Sequence, residues 1–470
     1  MIAMTLAEIA EAVGGRLAGG AAPDAVVAGP VTHDSRAVTA GALFAAFDGA
    51  NVDGHDFAPA AMAQGAVAVL ASRAVDGPAI LVGDVRDALG ELARTVLGRL
   101  PRLTVVGITG SSGKTSTKDL LGQVLAAAGT TIAPRGSMNN ELGLPLTVLT
   151  ADQDTRFLVL EMGARGVGHI AYLCRIAPPR IGLVLNVGSA HVGEFGSKET
   201  TALAKGELVE SLPADGLAVL NADDPLVAPM SKRTKAPVTY FGDGEDAQVR
   251  AESVSLDADG RASFTLVHGA DRARVTLQFA GEHQVANALA AAAAALGAGM
   301  DLPRVAAALA AAQPVSGGRM AVSHRADGLT IVDDAYNANP ESVRAALKAL
   351  VSMARARPGA RAWAVLGTML ELGGRADEEH DAIGRLAVRL RVDRLVAVGD
   401  AAARIHAGAS HEGSWGEESV MVANPQEALA LLRAQVRPGD VVLVKASNSV
   451  GLGWVARELA ESAGTVVEAR

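Results

Sequence analysis

From Thr104 onward, short apolar runs rich in β-formers alternate with alanine-rich stretches of helical period. Thr104-Val105-Val106-Gly107-Ile108 is the first such run and Phe157-Leu158-Val159-Leu160-Glu161 the second. Ile181-Gly182-Leu183-Val184-Leu185-Asn186 and Leu217-Ala218-Val219-Leu220-Asn221 follow. Each closes on a polar residue or a glycine before a helical stretch, which predicts βαβ units around a mostly parallel sheet. A long alanine-rich helical pattern near 284–312 ends this series, followed by the turn-like Gln313-Pro314-Val315-Ser316-Gly317-Gly318. The alternation then restarts at 329–334 and runs through 363–367, 394–399 and 440–445. Ligands of such sheets bind at the carboxyl ends of the strands, so the polar residues just past each run are the candidates for chemistry.

This punctuation divides the 470 residues into three α/β units, in line with about 150 residues per domain. Residues 1–100 form a small N-terminal unit without a phosphate loop. Residues 101–315 form a central unit with a mostly parallel sheet, and 316–470 a C-terminal Rossmann-like unit.

The sharpest motif is Thr109-Gly110-Ser111-Ser112-Gly113-Lys114-Thr115, after a strand and before a helical pattern over 117–128. Glycines let the backbone curl until several N–H groups face one anion, aided by the helix N-terminus. Gly110, Ser111, Ser112 and Gly113 thus form a cradle for ATP or GTP phosphates. Lys114 reaches the terminal phosphates and the Thr115 hydroxyl ligates Mg²⁺. The common form places a further glycine where this chain has Ile108, so the loop is a shortened variant. Glu161 ends an apolar run and reads either as a Mg²⁺ ligand near the phosphates or as a surface carboxylate. His191, past the strand ending at Asn186, reads equally as a ligand or a loop histidine.

Composition narrows the function classes. Hydrophobic residues are 49% and charged residues 20% of the chain, which is ordinary globular usage. The net charge of −9 argues against a nucleic-acid partner. The single cysteine, Cys174, excludes an internal disulfide framework and reads as a small buried hydrophobe. The N-terminus lacks the basic start and apolar run of a signal peptide, and no stretch reaches the roughly 20 apolar residues of a membrane span. A cytoplasmic protein without membrane insertion is expected.

The phosphate loop, Leu-Glu-Met-Gly-Ala at 160–164 and Asn-Val-Gly-Ser-Ala-His at 186–191 together resemble the Mur ligase family, ATP-dependent enzymes that form amide bonds on the peptidoglycan precursor. Further matches follow in order over essentially the whole chain. They are Gly281-Glu282-His283-Gln284-Val285-Ala286-Asn287-Ala288, Gly318-Arg319-Met320 and Asp333-Asp334-Ala335-Tyr336-Asn337-Ala338-Asn339-Pro340. The last of these, with Met138-Asn139-Asn140-Glu141-Leu142-Gly143-Leu144-Pro145-Leu146-Thr147, is similar to the branch that adds D-alanyl-D-alanine to UDP-N-acetylmuramoyl-tripeptide. The run from Asp34-Ser35-Arg36 through Leu43-Phe44 to Asp53-Gly54-His55-Asp56-Phe57 resembles the uridine-binding domain of that branch and its nearest sibling.

The resemblance implies roles. Thr115 and Glu161 hold Mg²⁺ between the β- and γ-phosphates, and His191 binds a second Mg²⁺. Lys205 falls where related ligases carry a carbamylated lysine, whose anionic oxygens suit a hard cation; a solvated helix lysine is the other reading. Asn287 contacts adenine, and Arg319 and Asp334 reach the γ-phosphate side and the ribose. Ser35 and Arg36 contact the uridine nucleotide. Asn139 and Asn140 are sugar-peptide contacts or turn residues. The ligands implied are ATP and Mg²⁺, with a monomer expected. Two departures stand out: Thr368 replaces the aspartate of the family's Gly-Asp-Met, and Lys445-Ala446-Ser447-Asn448 replaces Lys-Gly-Ser-Arg. Alternatives are the sibling adding the third residue (diaminopimelate or lysine), a folate polyglutamylating relative, and a non-catalytic nucleotide-binding module.

Overall fold

The structure, a computed structural model, describes residues 1–49, 52–188, 192–413, 416 and 418–461. Three sheets, each drawn from one uninterrupted stretch of chain, organise it, with a two-stranded ribbon (Met4–Thr5 with Val26–Val27) beside the first. The first sheet orders Arg16–Ala18, Ala79–Leu81, Ala68–Ala71, Leu43–Ala45 and Val31–Thr32 across it, parallel except for the Arg16–Ala18 edge.

The central sheet has nine strands. Thr104–Thr109 lies in its interior, between Phe157–Glu161 and Ile181–Val184, with Leu217–Asn221 and Val238–Gly242 continuing the parallel order. Strand order therefore reverses beside Thr104–Thr109, and its carboxyl end opens onto the crevice where α/β sheets bind ligands. The strands Val249–Leu256, Arg261–His268 and Asp271–Ala280 extend the sheet as an antiparallel meander. Buried runs of Val, Ile and Leu with few alternating polar residues suit strands covered on both faces.

Two expected helices differ in detail. The phosphate-loop helix starts at Lys114 and ends at Ala126, because Gly113, at φ +80°, turns the chain straight into it. The 284–312 pattern resolves into Gln284–Gly297 and Leu302–Ala311. Gly299 at φ +92° breaks the first, and Asp301 caps the second by accepting the Arg304 N–H.

The third sheet orders Ala321–His324, Thr330–Asp333, Val441–Lys445, Ala362–Leu366, Arg394–Val398 and Ser419–Val422. All pairs but the first are parallel. Trp363, 1% exposed, anchors this core and donates its indole N–H to Asp440 Oδ2 at 3.0 Å. Burial works to raise the Asp440 carboxyl, but hydrogen bonds from Arg361 and the Arg437 N–H outweigh it and hold it below the ordinary aspartate range.

Candidate nucleotide and ligation site

A cleft of about 680 Å³ lies between the central and C-terminal units. Its lining comes from the carboxyl ends of both parallel sheets: Ser111 to Ser116 and Glu161 on one side, Asp334, Tyr336, Asn337, Lys445 and Ser447 to Ser449 on the other.

The phosphate loop is held open by a residue outside it. Asn186 Oδ1 accepts the N–H groups of Ser111 and Ser112 at 3.0 and 2.9 Å, and its Nδ2 donates to Ser112 O at 3.2 Å. Gly113 does the turning, and Gly110 lets the loop pass close against Leu185. A Cβ on Gly113 would collide with Asn287 Oδ1 and sit at a left-handed φ. Gly113→Ala is accordingly expected to weaken ATP binding roughly tenfold or more, read by calorimetry, while leaving the melting curve of the C-terminal unit in place. Asn287 is itself 7% exposed, accepting from the Thr117 hydroxyl at 3.3 Å and donating to Gln284 Oε1 at 2.8 Å.

The charges converge below the loop. Lys114 Nζ donates to Gly110 O at 2.5 Å; burial lowers its pKa, the Glu161 carboxylate opposing. Glu161 is 1% exposed. Its Oε2 accepts from the Thr115 and Ser137 hydroxyls at 3.3 and 3.0 Å, whereas buried Oε1 has no hydrogen-bond donor among the described residues and meets the Lys118 ammonium at 3.9 Å. A buried carboxylate with a spare oxygen beside two hydroxyls is an oxygen-only donor set, which suits Mg²⁺. Lys205, 3% exposed, has no acidic partner among the described residues. Burial first, and Lys114 second, push its pKa well below that of an ordinary lysine.

From the C-terminal side, Arg319 lies 4.3 Å over the Tyr336 ring and donates from Nη2 to Thr115 Oγ1 at 3.1 Å. Asp334 is paired on both oxygens: Oδ1 accepts the Met320 N–H at 3.1 Å and Oδ2 the Lys445 ammonium at 2.6 Å. Lys445 also donates to Asn337 O at 3.0 Å. Asn339 Nδ2 donates across to Ser111 O at 3.4 Å. The two departures meet here. Ser447 N donates to Thr368 O at 3.0 Å, the Thr368 hydroxyl is buried with no partner among the described residues, and Asn448 lines the cleft.

The structure thus brings together Ser111, Ser112, Gly113, Lys114, Thr115, Asn139, Glu161, Asn287, Arg319 and Asp334, with Gly110 and Lys205 adjoining. Asn140 serves as a turn residue, its Oδ1 accepting the Gly143 N–H at 2.8 Å. Ser35 and Arg36 lie in the N-terminal unit, outside the cleft lining. Arg36 is turned onto Asp34, whose carboxyl it holds down to about 2. His55 is a buried tie there, its Nδ1 2.7 Å from Asp53 and its Nε2 accepting the Ser72 N–H at 3.2 Å. His191 lies outside the described residues. Sequence reasoning missed Ser137, Asn186 and Lys118; charges at 118–119, inside the apolar face of a helix, were a signal available for the last.

Comparison with known proteins places this geometry in a class. The family model described as the Mur ligase middle domain matches residues 108–295, the Mur ligase glutamate ligase domain 318–448, and the Mur ligase catalytic domain 30–96. The chain belongs to the Mur ligase family.

Within it, the chain is 52% identical to UDP-N-acetylmuramoyl-tripeptide--D-alanyl-D-alanine ligase of Mycobacterium tuberculosis (strain ATCC 25618 / H37Rv), over 98% of both chains. It is 34% identical to the ligase of the same name from Escherichia coli K12, over 98% of this chain and 99% of that one. Among solved structures, a MurF crystal structure from Acinetobacter baumannii matches with a TM-score of 0.88 at 31% identity, covering 97% of this chain and 98% of that one. The Thermotoga maritima MurF complex with ADP matches at 0.79 and 32% identity, covering 92% and 98%. Among the described residues, no helix is long and apolar enough to cross a membrane.

Proposed function

We propose that the chain is an ATP-dependent ligase that joins D-alanyl-D-alanine to UDP-N-acetylmuramoyl-tripeptide, forming the UDP-muramoyl pentapeptide of peptidoglycan synthesis. The observation that carries the reading is the convergence of the phosphate loop, a buried carboxylate and the Arg319 guanidinium in one cleft between two sheets. Relatives of that name matching over nearly the full length support it. In this reading residues 1–100 hold the uridine nucleotide through Ser35 and Arg36, 101–315 hold ATP, and 316–470 complete the site.

A carboxylate cannot lose oxide to an amine, so it is first activated. A tripeptide carboxylate oxygen attacks the γ-phosphorus, the bond to the β-phosphate oxygen breaks, and an acyl phosphate and ADP result. The dipeptide amine then adds to the acyl carbon, and phosphate leaves from the tetrahedral adduct. With the Ser111 and Ser112 N–H groups taken by Asn186, the backbone at Gly113 and the helix N-terminus it opens, together with the Lys114 ammonium, hold the phosphates in line, and Arg319 balances charge at the γ-phosphate. Thr115 and Glu161 would hold one Mg²⁺, with His191 and Lys205 serving a second; bound Mg²⁺ neutralises the phosphate charge that repels the carboxylate. Asn287 faces the adenine, Asp334 the ribose, and Asn139 the sugar-peptide.

Lys205 fits this as a carbamate, since burial and the nearby Lys114 disfavour its charged form, and it is the neutral form of an amine that adds to CO₂. Depleting bicarbonate is expected to lower kcat reversibly in the native chain and to leave the residual rate of Lys205→Ala unchanged.

The deciding experiment is phosphate release from ATP and Mg²⁺ with UDP-muramoyl tripeptide. Release that requires D-alanyl-D-alanine and yields the pentapeptide supports the proposal. Release with UDP-muramoyl dipeptide and a diamino acid reassigns the chain to the sibling that adds the third residue. ATP binding without turnover on either substrate set reassigns it to a nucleotide-gated binding module.

A further inference from the structure

The phosphate-loop helix carries a second charge one turn beyond Thr115. Asp119 is 5% exposed, and its two oxygens serve different segments. Oδ1 pairs with the Lys118 ammonium at 2.8 Å, and Oδ2 accepts the Ser316 N–H at 3.1 Å. Ser316 belongs to the 312–318 connection between the central and C-terminal units. One turn further, Gln123 repeats the grip: its Nε2 donates to Gln313 O at 2.8 Å, and its Oε1 accepts the Gln313 N–H at 2.9 Å. Lys118, fully buried, also donates to Pro134 O and, at 2.9 Å, to Gly136 O. Gly136 N in turn donates to Ser316 Oγ at 3.3 Å.

None of Lys118, Asp119, Gln123, Gln313 or Ser316 lines the cleft. Their geometry nonetheless closes on it. Just past Ser316 the chain reaches Arg319, whose guanidinium returns to the Thr115 hydroxyl at 3.1 Å. The result is a ring with two covalent sides, Thr115 to Asp119 along the helix and Ser316 to Arg319 along the connection. Its other two sides are hydrogen bonds. A helical turn is stiff, and a charge-assisted bond to a backbone N–H is directional. The ring therefore sets where the guanidinium can land.

We infer that Asp119 is a positioning residue for Arg319: by pinning Ser316 it fixes the interdomain connection so that the guanidinium meets the phosphate loop. This rests on the role assigned to Arg319 above. A double-mutant cycle separates the two. Steady-state kinetics, ATP binding by calorimetry and melting curves are compared for Asp119→Ala, Arg319→Ala and the double variant.

Arg319→Ala is expected to lower kcat/KM for ATP roughly 100-fold, and Asp119→Ala roughly tenfold, mostly in kcat. In the Arg319→Ala background the Asp119 substitution is expected to change the rate less than about twofold. A full further loss in that background overturns the positioning role. An Arg319→Ala rate equal to the native one overturns the assignment beneath it. Should Asp119→Ala fail to fold, Gln123→Ala loosens the same connection without leaving a buried charge. Its expected roughly threefold loss, silent without Arg319, tests the inference equally, and a native rate for Gln123→Ala overturns it.

Discussion

Lys114→Ala is expected to lower kcat/KM for ATP by on the order of 10³ or more, about 4 kcal/mol of transition-state stabilisation. In the proposed reaction the side chain is one of two cations converging on the place where the γ-phosphate charge shifts, and no neighbouring lysine can replace it. Lys205 is buried and has no acidic partner among the described residues, and Lys118 is committed to Asp119 and two carbonyls. Folding stability should move the other way. Burial pushes the Lys114 pKa down, so its charged form is held there at a cost, with a carbonyl and the nearby Glu161 in compensation. The variant should therefore melt at or above the native temperature while losing the upward shift that ATP confers. Phosphate release and paired melts with and without ATP check both halves. A variant that melts much earlier would assign Lys114 to the fold rather than the reaction.

The second large effect is in the C-terminal half of the site. Lys445→Met leaves Asp334 without its strongest partner, in a place where the lysine is 2% and the aspartate 11% exposed at the side chain. Removing one member of a buried pair costs about 3–5 kcal/mol, which for a unit of this size lowers the melting temperature by roughly 10 °C. Differential scanning calorimetry should show the loss in the transition of the C-terminal unit. Activity should fall with it, because Asp334 also accepts the Met320 N–H and so orients the residue next to Arg319. The double replacement Asp334→Asn with Lys445→Met should recover most of the stability and little of the activity.

Much of this was legible along the chain. Strand runs such as 104–108 and 181–186 are apolar on both faces, so their pattern marks them as buried parallel strands without reference to any partner. The phosphate loop is equally local, since glycine placement, the lysine and the following hydroxyl are all adjacent. The long alanine-rich pattern was harder to divide, because alanine fits core and surface alike and leaves the short Gly297-to-Pro303 segment as its punctuation. The site across the cleft was legible only through motif resemblance. Arg319 and Thr115 are far apart in the chain, and nothing in either segment states that they meet. Asn186, Ser137 and Lys118 act by holding other residues, a role that depends on folded distances. Thr368 and Asn448 showed as separate departures, yet their segments touch through Ser447.

Each of the three sheets is closed by one uninterrupted run of chain, and this has a consequence during synthesis. The phosphate loop leaves the ribosome long before Arg319, Asp334 and Lys445. At about 5–20 residues per second the interval between Thr115 and Lys445 is roughly half a minute. Through that interval a nascent central unit can complete its own sheet and grasp a nucleotide, because its backbone donors and Lys114 are already in place. It lacks the guanidinium that reaches Thr115 and the wall that closes over the phosphates. On the proposed mechanism a half-made chain therefore binds nucleotide without turnover, and phosphoryl transfer becomes available only when the last strand of the third sheet, Val441–Lys445, joins it.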